Sequence, residues 1–185
     1  ERFMVGSNIF TKLPEIFKEK IEDEKEYKLY VQVFGRSNNK RVYKYIKKEY
    51  ISEHPNLNKW KVFLPKSNGT GKLGERLSSP EIAEPNSIST QTFISFGAFE
   101  SEIEAKFLFK YLKTKFARIL LGVKKITPEN ARKDVWEYVP NQNFTKNSDI
   151  DWSKPINEID QQLYKKYKLS DEEIGFIEEK AETME

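Results

Sequence analysis

The feature that most constrains the fold is an amphipathic stretch that starts at residue 101. Ser101-Glu102-Ile103-Glu104 has the pattern of a capping box, in which a serine hydroxyl and a glutamate carboxylate satisfy free amides at a helix N-terminus. The apolar residues that follow recur at helical spacing: Ala105, Leu108, Tyr111, Leu112, Phe116 and Ile119. We therefore predict one long helix, which buries one face and ends near Gly122.

Segments rich in β-formers precede this helix. Residues 28–35 and 42–48 flank the polar turn 36–41 and predict a hairpin, and residues 60–64 and 92–96 predict two more strands.

Three other segments have the spacing of helices. The apolar residues of 3–27 recur at nearly helical spacing, which favours a helix there. Residues 156–167 and 171–181 predict two further helices, the second with a capping box at Ser170 and Glu173. The expected class is α+β: a mixed or antiparallel sheet packed with one long helix, followed by a C-terminal helical tail. We divide the chain into a body, 1–140, and a linker with helical extension, 141–185.

Composition narrows the class of protein. The 185 residues include no cysteine, which excludes disulfides and thiolate metal sites, and the longest apolar runs are about five residues, far short of a membrane span. A reducing cytoplasm is the expected location, and no membrane contact is expected. Residue 1 is Glu and the apolar run Phe3-Met4-Val5 begins two residues later, so we expect the chain to be a fragment of a larger protein.

Charge is distributed unevenly along the chain. Residues 149–185 contain 11 acids and 5 bases, a net charge of −6, which leaves +9 for residues 1–148 out of the total of +3. Such an asymmetry favours a body that binds a polyanion. The acidic tail would then have a different role from the body. A chain that places lysine wherever solvent tolerates it would show the same totals.

Two runs of cations without an intervening acid lie within the body. They comprise Arg36, Lys40, Arg41, Lys44, Lys47 and Lys48, and then Lys106, Lys110, Lys113, Lys115, Arg118, Lys124 and Lys125. Arginine, asparagine and glutamine can pair with base edges, and lysine with phosphates, although a solvated face is the competing interpretation. The candidate DNA contacts are Arg36, Asn38, Asn39, Lys40, Arg41, Lys44, Asn68, Lys72, Gln91, Lys110, Lys113, Lys115 and Arg118.

Motifs for catalysis are weak. Gly69-Thr70-Gly71-Lys72-Leu73-Gly74 matches G-x-G-x-x-G, but Pro80 leaves no room for the helix that a nucleotide site requires, so a mobile loop able to approach DNA is expected. His54 is the only histidine, which excludes most triads. Glu26-Tyr27-Lys28 and Glu104-Ala105-Lys106 have the E-x-K spacing of some metal nucleases, and Asp149-Ile150-Asp151 lacks the rest of a calcium loop.

From Trp60 onward, several phrases occur in a recognisable order. These are Lys59-Trp60-Lys61-Val62, Thr90-Gln91-Thr92-Phe93-Ile94, Tyr111-Leu112-Lys113-Thr114-Lys115-Phe116-Ala117-Arg118, Asp149-Ile150-Asp151-Trp152 and Leu169-Ser170-Asp171-Glu172-Glu173-Ile174. Over about two-thirds of the chain this order resembles the C-terminal, TaqI-like specificity region of adenine-specific DNA methyltransferases and bifunctional restriction enzymes. The N-terminal third agrees only loosely.

The resemblance implies a specificity domain of a bacterial type II restriction–modification system, which recognises double-stranded DNA beside a catalytic domain absent from this chain. That domain would transfer a methyl group from S-adenosylmethionine to adenine. The Asn/Asp-Pro-Pro-Tyr motif of the family is absent here, so we expect no catalysis and no cofactor or metal in this chain itself. A metal-dependent restriction nuclease fragment and a protein-interaction scaffold remain alternatives.

Overall fold

The computed structural model describes residues 5–184, so Phe3 and Met4 of the apolar opening run lie outside the described residues. The helices are α1 (Ile9–Lys12), α2 (Glu24–Leu29), α3 (Glu102–Lys113), α4 (Lys115–Lys124), α5 (Ile156–Lys166) and α6 (Asp171–Lys180). The strands are β1 (Phe17–Lys18), β2 (Tyr30–Ser37), β3 (Lys40–Lys47), β4 (Trp60–Pro65), β5 (Glu81–Ala83), β6 (Ser87–Ser89) and β7 (Phe93–Phe99). Short 3-10 turns occupy Pro14–Ile16, Lys48–Tyr50 and Lys133–Trp136.

The strands form two sheets, one mixed and one antiparallel. The first has the order β1-β3-β2-β6, in which β6 is parallel to β2, and the second has the order β5-β4-β7. The α+β class and the hairpin of β2 and β3 are thereby confirmed. The helical prediction for residues 3–27 is wrong in its described part, where two short helices, a 3-10 turn and β1 replace a single helix.

A cluster of aromatic rings joins the two sheets. Phe34 of β2 lies with its ring centroid 5.7 Å from that of Phe63 in β4 and 4.4 Å from that of Phe93 in β7. Tyr43 of β3 packs on the same ring at 4.7 Å. Since offset and edge-on aromatic pairs add to the free energy of simple burial, this cluster holds the β2–β3 hairpin on the second sheet.

The predicted long helix is broken into α3 and α4 at Thr114. Thr114 is fully buried and its backbone is extended (ψ 148°). Its hydroxyl donates to the Tyr111 carbonyl at 2.7 Å and accepts from the Ala117 N–H at 3.1 Å. Asp160 of α5 accepts hydrogen bonds from the next two amides, those of Lys115 and Phe116, at 3.0 and 2.9 Å. The prediction of one long helix is therefore wrong, because a second helix N-terminus is capped here by Thr114 itself and by the distant Asp160.

The C-terminal segment completes the main core. Phe144, Ile150, Trp152, Leu163 and Ile177 are buried in one cluster with the apolar faces of α3 and α4. Both predicted capping boxes, at Ser101 and at Ser170, are present. Residues 141–184 therefore share a core with the body, and the boundary placed at residue 140 does not separate two hydrophobic cores.

Arg118 of α4 ties three irregular segments together. Its guanidinium is only 2% exposed and donates to the carbonyls of Lys113, Gly74, Glu75 and Glu182, at 3.2, 2.9 and 3.2 Å for the first three. These carbonyls belong to the α3–α4 junction, to the glycine-rich segment (residues 67–79) and to the C-terminal end. One guanidinium thus satisfies main-chain acceptors that no regular element pairs.

We expect Arg118→Met to lower the free energy of unfolding by about 3 kcal/mol, because several buried carbonyls lose their donor together. Urea denaturation of the whole chain measures the change. Arg132→Met is the matched control, since the side chain of that arginine is 57% exposed and pairs with Asp134 at the surface, and it should shift stability by less than about 0.5 kcal/mol. Equal losses in the two variants would contradict the cross-linking role.

Candidate nucleic-acid interface

The β2–β3 hairpin ends in a two-residue turn. Asn38 and Asn39 both have positive φ, 49° and 60°, and Ser37 pairs with Lys40 to close the turn. Two left-handed residues define the turn type whose twist matches that of paired strands, and asparagine tolerates this conformation better than other non-glycine residues. The sequence Asn-Asn at this point therefore determines the register of the hairpin.

The hairpin tip, residues 36–41, presents amides and cations to solvent. Arg36, Asn38, Asn39 and Lys40 are exposed, and no Asp or Glu occurs between residues 27 and 48. Arg36 lies directly opposite Arg41 in the ladder, so two guanidinium groups occupy one face of the ribbon. Like charges at directly paired positions destabilise a sheet, and a bound anion would relieve that repulsion.

Arg41 is held more firmly than the rest of the tip. Its Nη1 donates to the Ser79 carbonyl at 2.6 Å, and its guanidinium lies 5.8 Å from the Phe93 ring centroid. The contact with Ser79 also docks the end of the glycine-rich segment against the hairpin. Arg41 is therefore pre-oriented, whereas Arg36 across the ladder is exposed.

Two further candidates from the sequence lie in different surroundings. Gln91 is exposed. The preceding residue, Thr90, donates its N–H to the Phe34 carbonyl of β2 at 2.9 Å, so Gln91 adjoins a residue that is hydrogen-bonded to the hairpin. Lys44 lies on the opposite face, paired with Glu19 at 2.6 Å and 5.4 Å from the Phe10 ring centroid, with its side chain 13% exposed. Lys44 thus serves packing near α1 and is not part of the hairpin tip.

The glycine-rich segment is anchored, contrary to the expectation of a mobile loop. Asn68 is 7% exposed, and its side-chain amide donates to the Arg76 carbonyl and accepts from the Ser78 N–H. It closes the segment on itself, and this burial does not favour the predicted contact between Asn68 and DNA. Lys72 is exposed on the same segment.

An internal carboxylate occupies the place where a phosphate would lie in a glycine loop. Glu75 accepts from the N–H groups of Thr70 and Gly71, at 2.7 and 3.1 Å, and pairs with the buried Lys125 at 2.9 Å. Burial opposes the charged form, but these donors outweigh it and hold the pKa of Glu75 below its usual value. Two amides of the glycine motif are therefore satisfied within the chain, which argues against a nucleotide site.

The four DNA contacts predicted on the long helix line one cavity at the α3–α4 break: Lys110, Lys113, Lys115 and Arg118. Lys110 donates to the carbonyls of Trp152, Ser153 and Lys154, at 2.9 to 3.0 Å. Lys115 pairs with Glu178 of α6 at 2.5 Å, and Lys113 lies 4.9 Å from the Phe109 ring centroid. Arg118 is buried, and Lys110 and Lys115 contact the C-terminal segment. These contacts do not favour the prediction that the three cations bind phosphates.

Asp160 is the carboxylate of this cavity that the sequence analysis missed. Burial raises its pKa to about 6, against the opposing effect of the two N–H groups that it accepts and of the nearby Arg118. Burial likewise lowers the pKa of the Arg118 guanidinium. Asp160 stands between Ile159 and Gln161 in a stretch that reads as an ordinary amphipathic helix, so no local signal marks it as the cap of α4.

The carboxylates of the nuclease alternative are engaged in local structure. Glu26 pairs with Lys18 and accepts from the Glu22 N–H at 3.0 Å, and Glu104 closes the capping box of α3. Within residues 5–184 no group of three or more His, Asp or Glu side chains is placed to hold a metal ion. The E-x-K spacings thus carry no assembled site in this part of the chain.

No protein-family model, curated protein or solved structure matches this chain. We therefore infer the function of the chain from its geometry and from its sequence phrases. None of the helices in residues 5–184 has the length and apolar character needed to cross a membrane.

We expect Gly71→Ala to lower the free energy of unfolding by about 1–3 kcal/mol. Gly71 has φ +87°, and an added Cβ would lie 2.7 Å from the Ile126 carbonyl carbon. The control is Gly175→Ala in α6, where no atom lies within 4 Å of the new methyl group and stability should rise by about 0.5–1 kcal/mol. Thermal and urea unfolding measure both, and a neutral Gly71→Ala would show that the segment is mobile.

Proposed function

We propose that this chain recognises duplex DNA, with the hairpin tip (residues 36–41) inserted into the major groove. The observation that carries the proposal is the tip itself: a two-residue turn with exposed side-chain amides and two arginines opposed on one face, in a stretch without acids. A two-stranded ribbon fits the width of the major groove. Hairpin and sheet readers of this kind form one of the established classes of DNA-binding elements.

Each side chain of the tip has a chemistry suited to reading or holding DNA. Arginine pairs in bidentate fashion with the O6 and N7 atoms of guanine, and asparagine with the N6 and N7 atoms of adenine. Arg36, Asn38 and Asn39 are therefore the proposed base readers, with Arg41 oriented by Ser79. Lys40 and Gln91 flank them, and Lys72 is a further exposed candidate for phosphate contact.

The wider context follows from the sequence phrases that resemble methyltransferase specificity regions. In this proposal the chain acts in the cytoplasm as the specificity part of a restriction–modification protein, and a separate domain binds S-adenosylmethionine and methylates adenine. The acidic tail is consistent with a structural role beside a DNA-binding body, because its carboxylates pair with cations of that body. Glu178 pairs with Lys115, and Glu182 pairs with Arg76 at 3.4 Å.

The first test is fluorescence anisotropy of the whole chain with a random-sequence duplex across a salt series. Binding should weaken linearly on a log–log plot, with a slope of about −0.9 for each phosphate neutralised. Selection from a randomised duplex pool then gives the preferred site. Absence of binding at low salt would overturn the proposal.

Two variants assign the reading to the tip. Arg36→Ala and the double variant Asn38→Gly/Asn39→Gly should each weaken binding to the selected site by about 1–3 kcal/mol and relax one or more base positions. Glycine keeps the positive φ of the turn while removing the amides, so the hairpin is retained. Lys165→Ala on α5, an exposed cation far along the chain, is the control, and equal losses there would indicate only a general charge effect.

A further inference from the structure

Four hydrogen-bond donors converge on the carboxylate of Glu75 in the glycine-rich segment. The Thr70 N–H and hydroxyl donate to its Oε2, at 2.7 and 3.3 Å, and the Gly71 N–H donates to its Oε1 at 3.1 Å. The ammonium group of Lys125 donates to the same Oε1 at 2.9 Å. All four groups act as donors here, so the site that they form is matched to an acceptor with negative charge.

Glycines shape the backbone around this carboxylate. Gly69 and Gly71 have positive φ, 66° and 87°, a conformation that suits the close approach of a chain to an anion. A Cβ at Gly69 would overlap the carboxylate of Glu75, so the anionic group lies against bare backbone. Successive backbone N–H groups in a turn of this kind form a concave nest, and such nests bind phosphates and other anions.

Lys125 gives the nest a buried positive charge. Its side chain is 2% exposed, and it also donates to the Asn68 carbonyl at 2.8 Å. Among the described residues, Glu75 is the carboxylate that pairs with it. A buried ammonium group is strongly destabilised without a counter-charge, so removal of the Glu75 carboxylate leaves a charge that an external anion can neutralise.

More distant charges do not determine this preference. Arg118, which donates to the main-chain carbonyl of Glu75 at 3.2 Å, has Asp160 and Glu182 beside it. Arg76 pairs with Glu182 as well, at 3.4 Å. The preference for an anion therefore comes from the four donors themselves, which include one buried ammonium group.

We propose that Thr70, Gly71 and Lys125 form an oxyanion site, which the chain closes with its own Glu75 carboxylate. The ligand is a small anion with two or more oxygens on one atom, phosphate or a carboxylate, because the group that fills the site has this chemistry. Glu75 is a competitor attached to the chain and thus present at high effective concentration, so an external anion binds well only when this side chain leaves. The site does not depend on DNA recognition.

The test compares Glu75→Ala with the unchanged chain. Each is titrated with phosphate and with acetate at an ionic strength held constant with sodium chloride, and the backbone NMR signals of residues 70 and 71 report binding. For at least one of the two anions, the dissociation constant should be at least about tenfold lower in Glu75→Ala than in the unchanged chain. Absence of shifts with both anions, or equal affinity in the two chains, would overturn the proposal.

Glu137→Ala is the matched control. Glu137 pairs with Lys124, the residue before Lys125, at 3.4 Å, but its side chain is 59% exposed. Removal of this carboxylate should leave the affinity at residues 70 and 71 as it is in the unchanged chain. A gain as large as that of Glu75→Ala would show only the general effect of removing an acid and would overturn the assignment of the site.

Two double variants test the part played by the buried lysine. Glu75→Ala/Lys125→Met should bind the anion at least about tenfold more weakly than Glu75→Ala, because the ammonium group is lost. Glu75→Ala/Lys124→Met, which removes the exposed neighbour, should bind it as Glu75→Ala does. Equal affinities in the two double variants would contradict the assignment of Lys125 to the site.

The same anions test the site if Glu75→Ala is unfolded in sodium chloride. A ligand that binds the folded state stabilises it by mass action, so phosphate or acetate should restore the circular dichroism spectrum of the folded chain. Failure of both anions to restore it would overturn the proposal.

Discussion

The donation of cationic side chains to main-chain carbonyls is the interaction on which the rest of this structure depends. Arg118 bonds to four carbonyls in three segments, Lys110 bonds to three just before α5, and Lys61, which is 1% exposed, bonds to four around residues 56–84. Irregular segments leave acceptors that regular elements would pair, and a cation with several N–H groups satisfies them together. Burial lowers the pKa of Lys61 to about 8, which shows the cost of this arrangement.

Local signals in the sequence were sufficient for the elements whose determinants lie close together. The capping boxes at Ser101 and Ser170, the hairpin of β2 and β3, and the helices α5 and α6 are present near their predicted positions. The break at Thr114 was missed because the carboxylate that caps α4 comes from Asp160, 45 residues beyond Lys115. The anchoring of the glycine-rich segment was missed for a similar reason, since Arg118 and Lys125 hold it from α4 and its C-terminal cap.

The cations that look alike in the sequence fall into two groups according to what they contact in the structure. On α3 and α4, Lys110 and Arg118 donate to main-chain carbonyls and Lys115 pairs with Glu178 of the acidic tail, so these cations hold the fold together. At the hairpin tip, Arg36 and Lys40 are exposed in a stretch without acids, and the opposed arginines reduce the stability of the strand pair. Opposed charges that reduce stability indicate a functional site more strongly than the number of lysines in the chain does.

The most direct test of this division is amide hydrogen exchange of the whole chain with and without a saturating duplex of the selected sequence. We expect slower exchange at residues 36–41 and at Gln91, while the amides of α3 and α4 keep their rates. Protection confined to α3 and α4, with residues 36–41 unchanged, would contradict it. That result would return the DNA contacts to the cations that the structure assigns to internal cross-links.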